Sequence, residues 1–492
     1  LEVPEDWSGP YRSNGTSIIK KSKAGLLKEF SPEAYPMLYD VLNRKGRTPY
    51  RVDLGMLKVF KTLLEEGSSI FEHNNKLLGK EERAGMLIEA KAVLRTAEYV
   101  GENDFHHIYA LDFRGRIYPT SGYLTEQGSD HSRAMIRLAN KVPLGEDGYE
   151  WLLYSAAGLW GEDKLPINDR IEFAHEHLDE WLTWAFDPLA NTGWQKAKKS
   201  WSFLAVIREI LKVDIHGDRE TFESGLVIYF DASCNGSQHL CALSRDDTIA
   251  AYVNLVPTEK PGDLYSLISD ASFAQVALDY NPELDALFHE IHGEIRELFQ
   301  KKAAASNHAA ISEAWNNIRE FLLLRGDDVE AVKANFWSQP GVAAVRRSVA
   351  KRNTMTLGYG SEKKGFSNQL SEDSGKLLDC LKYMAGPWSW YMGSLNYTNC
   401  LEKLPGPCSL LSIFKQLAVR ANKKNEHLAW TVPGTNFPAT QGYLQAESKV
   451  IEAKFLGRRI QPRIRLPEAK KLRKSKQKSG ASPNIVHSFD AG

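Results

Sequence analysis

Residues 226–230, Leu-Val-Ile-Tyr-Phe, run directly into Asp231 and then into the small-residue cluster Ala-Ser-Cys-Asn-Gly at 232–236. An apolar, β-rich run of that length predicts a buried strand, and small residues after it predict a turn into the next element. A carboxylate at the end of a buried strand is expensive unless a cation or a reaction needs it there.

At 492 residues the chain exceeds what one hydrophobic core usually serves, which predicts two or three domains or subdomains. Its 62 basic and 62 acidic residues cancel, so composition points to neither nucleic acid nor membrane, and any polyanion site must be local. No apolar run approaches bilayer length, so no membrane partner is expected. Leu1 opens a polar segment with neither a signal-peptide pattern nor an initiator Met, which predicts a start within a longer protein. Cysteines 234, 241, 380, 400 and 408 form no CxxC pair and are odd in number, consistent with free thiols in a reducing compartment. His-Glu-His at 175–177 and His-Glu-Ile-His at 289–292 lack the spacing of HExxH and read as solvated helix faces rather than zinc ligands.

Helical periodicity dominates residues 1–100, most clearly at 76–100, and Gly-Glu-Asn-Asp at 101–104 ends that helix. Segments 108–119 and 225–236 read as strand-and-turn units separated by Trp-rich helices, an α+β layout. Helices dominate again from about 263 to 400, and no repeat of fixed period is visible. Between Arg458 and Lys478 there are ten Lys or Arg against one acid, Glu468. That stretch fits either a solvated loop or a hairpin that touches a phosphate backbone.

A second stretch, AVRRSVAKRNTMTLGYG at 344–360, places Arg347, Lys351, Met355 and Tyr359 on one ridge of a helix that Gly358 and Gly360 end. At 1.5 Å rise per residue, Lys351 and Tyr359 stand roughly 12 Å apart, about the extent of a nucleoside triphosphate. Two cations and a ring on one face could hold a polyphosphate and its sugar. A lone RxxxK is usually a solvated face, but RxxxK followed after seven residues by Tyr-Gly is far more specific.

On those residues the chain resembles the single-subunit DNA-directed RNA polymerases of bacteriophages and mitochondria. The resemblance rests on DFRGRIYP (112–119), FDASCNGSQH (230–239), RxxxKRxxMTLGYG (347–360), WTVPGTNFP (430–438), FLGRRIQP (455–462) and SPNIVHSFD (482–490), in the family's order. It implies a helix-rich α+β fold of the right-hand polymerase type, with palm, fingers and thumb subdomains. Residues 1–100 would be thumb and the end of an amino-terminal domain, and 101–262 the first part of the palm. Residues 263–486 would be fingers, with a promoter-reading basic hairpin within 449–487, and 487–492 would start the return to the palm.

The implied chemistry is template-dependent nucleotidyl transfer from ribonucleoside triphosphates with two Mg²⁺ ions. Asp231 and the carbonyl of Ala232 would hold metal, a rigid strand end suiting a hard cation that keeps most of its waters. Arg347 and Lys351 resemble the triphosphate-binding pair, and Lys351 could also protonate the departing pyrophosphate. Arg114, Arg116 and Tyr118 resemble contacts to template and nascent RNA. Arg458, Arg459, Arg463 and Arg465 fall in the hairpin expected on promoter DNA.

Related DNA polymerases carry a Glu five residues after the catalytic Asp, where it blocks a ribose 2′-hydroxyl. Here that position is Gly236. Glycine leaves room for the oxygen, and Tyr359 and His487 resemble the pair that recognises it. The family's second metal-binding carboxylate sits in a His-Asp-Ser turn that this sequence, ending at Gly492, does not contain. Asp490 matches the family's HSxD stretch just before that turn and is not expected to replace it. The resemblance thus implies a chain truncated at both ends and inactive alone, with a second polypeptide as one source of the missing palm segment. The location it implies is the cytoplasm of a host bacterium, with an organelle as the alternative. Two rival readings are a non-catalytic nucleic-acid-binding subunit, disfavoured by the intact Asp231, Arg347, Lys351 and Tyr359, and a DNA polymerase, opposed by Gly236.

Overall fold

The structure is a computed structural model, and it describes residues 18–19, 32–72, 80–230, 234–286, 289, 329–377, 385–444, 448–450, 453–455, 458–460, 463–465 and 472–491. The chain forms two compact units. One comprises residues 1–231, 433–439 and 491, and the other residues 232–432, 440–490 and 492.

The first unit is built on a three-stranded antiparallel sheet in which Ile136–Pro143 lies between Tyr50–Val52 and Glu223–Leu226. Helices Leu54–Glu65, Gly148–Trp160, Ile167–Phe186 and Ser200–His216 share one core with it, including the fully buried Phe60, Trp181, Trp194 and Phe203. Trp181 meets Phe203 edge to face at 4.9 Å, a geometry that aromatic quadrupoles favour over flat stacking. The helix expected at 76–100 is present as Lys80–Val100, residues 73–79 lying outside the described residues. It ends at Gly101, whose φ of +59° is the left-handed conformation glycine adopts most readily. His175 and His177 lie within Ile167–Phe186; His175 is exposed as a solvated helix face requires, but His177 is half-buried, its ring 4.2 Å from that of Phe173 and stacked at 28° on the buried Trp181, so the solvated reading fails for it.

One sequence expectation fails here. The strand predicted through Phe230 ends at Leu226, and Phe230 is 71% exposed. Leu226 pairs with Arg137, one residue inside the start of the partner strand at Ile136. The partner chain before that point is the helix Asp130–Ala134, so the ladder runs out of backbone to pair with. Apolar, β-branched composition favours a strand but cannot supply its neighbour.

Segment 108–119 does form the expected strand-and-turn unit, Tyr109–Leu111 pairing antiparallel with Ile117–Pro119. The Asp112 carboxylate closes the turn by accepting from the backbone N–H groups of Arg114 (2.8 Å) and Arg116 (3.1 Å). Gly115, at φ +93°, makes the reversal possible.

In the second unit, helices Leu264–Asp279, Val329–Trp337, Arg346–Leu357, Lys363–Leu377 and Ala385–Lys403 pack around Phe336, Trp337, Trp388 and Met392. Asparagines stitch three of them together. Asn353 donates to the Phe366 carbonyl (3.2 Å) and to Gln369 (3.0 Å), and Asn396 donates to Asn353 (2.9 Å). Pro405–Lys424 is joined to Lys474–Phe489 through the fully buried Gln477, which donates to Asn422 (3.1 Å) and to the Glu426 carbonyl (3.0 Å). That join fixes the last helix, which carries His487.

The basic segment is a hairpin. Phe455 pairs with Arg458, Ala453 with Ile460, Val450 with Arg463 and Ser448 with Arg465. Each step along one strand matches one step back along the other, so both ladders share a single register. No helix among the described residues is long and apolar enough to cross a membrane.

Candidate active site

Arg346–Leu357 exposes the face that the ridge predicts. Val349, Ala350, Asn353, Thr354 and Leu357 are buried, while Lys351 and Met355 are exposed and Arg347 and Tyr359 are half-buried. The helix closes on a left-handed glycine cap. Gly360, at φ +79°, donates to the Leu357 carbonyl (2.7 Å), and Ser361 donates to that of Thr356 (3.1 Å). This cap holds Tyr359 in the final turn of the ridge. Arg352 anchors the same helix through Asp373 and Glu372, each at 2.8 Å.

Arg347 is held by a partner that the sequence reading missed. Its guanidinium pairs with the Asp263 carboxylate through Nε and, at 3.2 Å, through Nη2, and it lies 5.2 Å from the centre of the Tyr265 ring. Asp263 also caps Leu264–Asp279, accepting from Tyr265 N (3.1 Å) and Ser266 Oγ (2.9 Å). Burial alone would raise this carboxyl, but Arg347 and Ser266 outweigh it and hold it below its ordinary value. The Asp-Leu-Tyr-Ser spacing, an acid two and three residues before free helical N–H groups, was the readable signal for the cap.

Helix Asn235–Ser244 opens at Cys234, which adopts the left-handed conformation at φ +52°. Gly236 sits in its first turn. A Cβ placed there would stand 3.4 Å from Val486 Cγ1 and 3.6 Å from Tyr359 Cε1. The Tyr359 and His487 rings lie 4.7 Å apart at 33°. Gly236, Tyr359 and His487, separated by up to 251 positions in sequence, therefore lie together around one small space.

A second feature absent from the sequence reading borders that space. The Asp490 carboxylate accepts through Oδ1 from Asn235 Nδ2 (2.9 Å) and His239 Nε2 (2.8 Å). Its Oδ2 lies 3.7 Å from His487 Nδ1, a buried nitrogen without a hydrogen-bond partner among the described residues. The i, i+3 spacing of His487 and Asp490 was legible, but the Asn235 and His239 ends of the link were not.

Of the remaining candidates, Asp231 and Ala232 lie outside the described residues, as do the side chains of Arg458, Arg459, Arg463 and Arg465. Arg114, Arg116 and Tyr118 are half-buried on the 109–119 hairpin. The Arg114 guanidinium is committed to Asp112, at 2.6 and 2.9 Å.

The helix-rich α+β fold is that of the right-hand nucleic-acid polymerase class. Residues 142–492 match the family model described as DNA-dependent RNA polymerase, and the chain belongs to that family, in its phage and mitochondrial branch. It is 32% identical over 408 residues to the DNA-directed RNA polymerase of Enterobacteria phage T3, covering 78% of this chain and 42% of that protein. It is 33% identical over 404 residues to T7 RNA polymerase of Escherichia phage T7, with the same coverage of both chains. The mitochondrial DNA-directed RNA polymerase of Homo sapiens is 29% identical over 408 residues, 82% of this chain and 29% of that protein. The chain thus spans about two-fifths of the length of the phage relatives it matches.

Proposed function

We propose that this chain carries the nucleotide-selecting and first metal-binding parts of a DNA-directed RNA polymerase, which joins ribonucleoside triphosphates to nascent RNA on a DNA template. The convergence of Gly236, Tyr359 and His487 beside the Arg347–Lys351 ridge carries this reading. In it, residues 1–100 are thumb and the end of an amino-terminal domain, 101–262 palm and 263–486 fingers. The single-register hairpin at 448–465 contacts promoter DNA, which matches its basic composition and its place within 449–487.

Asp231 and the Ala232 carbonyl would hold Mg²⁺, since oxygen donors suit a hard cation. When bound, two such ions stabilise the attacking and leaving oxygens of the displacement. Asp490 is not the second carboxylate in this reading, since its Oδ1 is taken by Asn235 and His239. Arg347 reaches the triphosphate by exchanging the Asp263 carboxylate for phosphate oxygens. Lys351, four residues along the ridge, neutralises the same group and supplies the proton to departing pyrophosphate.

Magnesium-dependent extension of an RNA primer on a DNA template, by the full-length polymerase that carries these residues, tests the reading. Asp231→Asn is expected to abolish extension while leaving template binding intact. A protein that shifts DNA in a gel and never extends a primer would be a binding subunit instead. Tyr359→Phe keeps the ring against His487 and removes one hydroxyl. Its preference for ribo- over deoxyribonucleotides in single-nucleotide addition should fall on the order of tenfold, the worth of one hydrogen bond. Unchanged preference would remove Tyr359 from sugar recognition.

A further inference from the structure

We propose that Asp490 is a positioning residue for sugar selection, fixing both the width of the Gly236–Tyr359–His487 space and the proton on His487. This rests on the reading that Tyr359 and His487 face the ribose. Asp490 follows the last residue of Lys474–Phe489, and its carboxylate accepts from the first residue of Asn235–Ser244 and from His239 one turn further on. Gly236 lies between those two donors, and Asn235 Oδ1 accepts from the Gly236 N–H at 2.9 Å. One carboxylate therefore joins the helix that carries the glycine to the helix that carries the histidine. Val486, on the second helix, is the nearest neighbour of a Gly236 Cβ at 3.4 Å.

The same group decides the His487 tautomer. Nδ1 is buried and has no hydrogen-bond partner among the described residues, and Asp490 Oδ2 stands 3.7 Å from it. That distance exceeds a hydrogen bond, yet an ionised oxygen there favours a proton on Nδ1 and disfavours a bare lone pair. A neutral imidazole protonated at Nδ1 presents Nε2 as an acceptor, the role that receives a 2′-hydroxyl proton. Oδ1 thus sets the spacing and Oδ2 the polarity.

Asp490→Asn separates the two roles. An amide oxygen still accepts from Asn235 and His239, so the helices stay joined, while the amide N–H turned toward Nδ1 favours the opposite tautomer. In single-nucleotide addition by the full-length polymerase, with ATP and dATP opposite template thymine, Asp490→Asn should lower the ribo-to-deoxy ratio of kcat/KM about tenfold. The loss should fall on ATP, with dATP addition within about twofold of the parent, a difference worth under half a kcal/mol and so outside any hydrogen-bond effect. Equal loss for both nucleotides would make Asp490 a structural tie only and overturn the proposal. So would an unchanged ratio. Tyr359→Phe and His487→Ala, measured alongside, separate the two layers. If they shift the ratio and Asp490→Asn does not, the Asp490 inference alone fails; if none shifts it, the ribose reading fails with it.

Discussion

Arg137→Ala is expected to destabilise the first unit by about 3–5 kcal/mol, the cost of leaving buried carboxylates without their cation. Arg137 lies on the central strand and pairs with Asp53 at 2.8 Å and with Glu209, whose side chain is fully buried. Asp53 caps Leu54–Glu65 by accepting from Met56 N (3.0 Å), and Glu209 lies on Ser200–His216 and accepts from Ser224 Oγ (2.7 Å) on the neighbouring strand. One guanidinium therefore joins a helix cap, a second helix and the sheet. Lys212 reaches Glu209 at 3.0 Å but is partly exposed and cannot replace it. Arg137→Met keeps most of the aliphatic stem and should lose nearly as much, which separates charge from packing.

The pH dependence follows from the same groups. Burial alone would raise both carboxyls, but Lys212 and Arg137 outweigh it at Asp53, and Arg137 and Lys212 outweigh it at Glu209, so each is held below its ordinary value. Groups depressed in the folded state contribute stability that is present above about pH 4 and lost as pH falls through their folded values. In Arg137→Ala only Lys212 and the Met56 and Ser224 hydrogen bonds remain to oppose burial, so both carboxyls move up and protonation relieves part of the cost. The difference between parent and variant in thermal unfolding should therefore be greatest near pH 7 and shrink below about pH 4. A variant that melts within about 2 °C of the parent at pH 7 would show that the cluster contributes nothing, since even 1 kcal/mol moves a unit of this size by that much.

Gly236→Glu carries the second large effect. A Cβ at this position meets Val486 and Tyr359 at 3.4 and 3.6 Å, ordinary contact distances, so Gly236→Ala fits and should alter nucleotide addition only a few-fold. Glutamate adds a methylene and a carboxylate to a space bounded by the Tyr359 and His487 rings, where the 2′-oxygen would approach. Overpacking of about 1–3 kcal/mol predicts roughly 5- to 150-fold slower addition of ribonucleotides, with deoxyribonucleotides much less affected. Parental rates of RNA synthesis in Gly236→Glu would end the account of Gly236 as the opening for a 2′-hydroxyl. Equal loss for both sugars would mean a blocked site and no gate.

What could be read from the chain alone was set by short-range physics. The Arg347–Tyr359 ridge, its glycine end at Gly360 and the 448–465 hairpin depend on periodicity, backbone freedom and strand pairing within a few tens of residues, and each is present in the fold. The 226–230 run shows the limit. Its composition is that of a strand, but pairing stops where the partner strand begins at Ile136, a fact located ninety residues earlier in the chain. The partners of Arg347, Arg137 and Asp490 lie 84, 72 to 84 and 251 to 255 positions away. A charge or carboxylate declares its chemistry in the sequence, but which opposite group it meets is decided by packing, because only tertiary structure brings distant residues within the few ångströms at which those forces act.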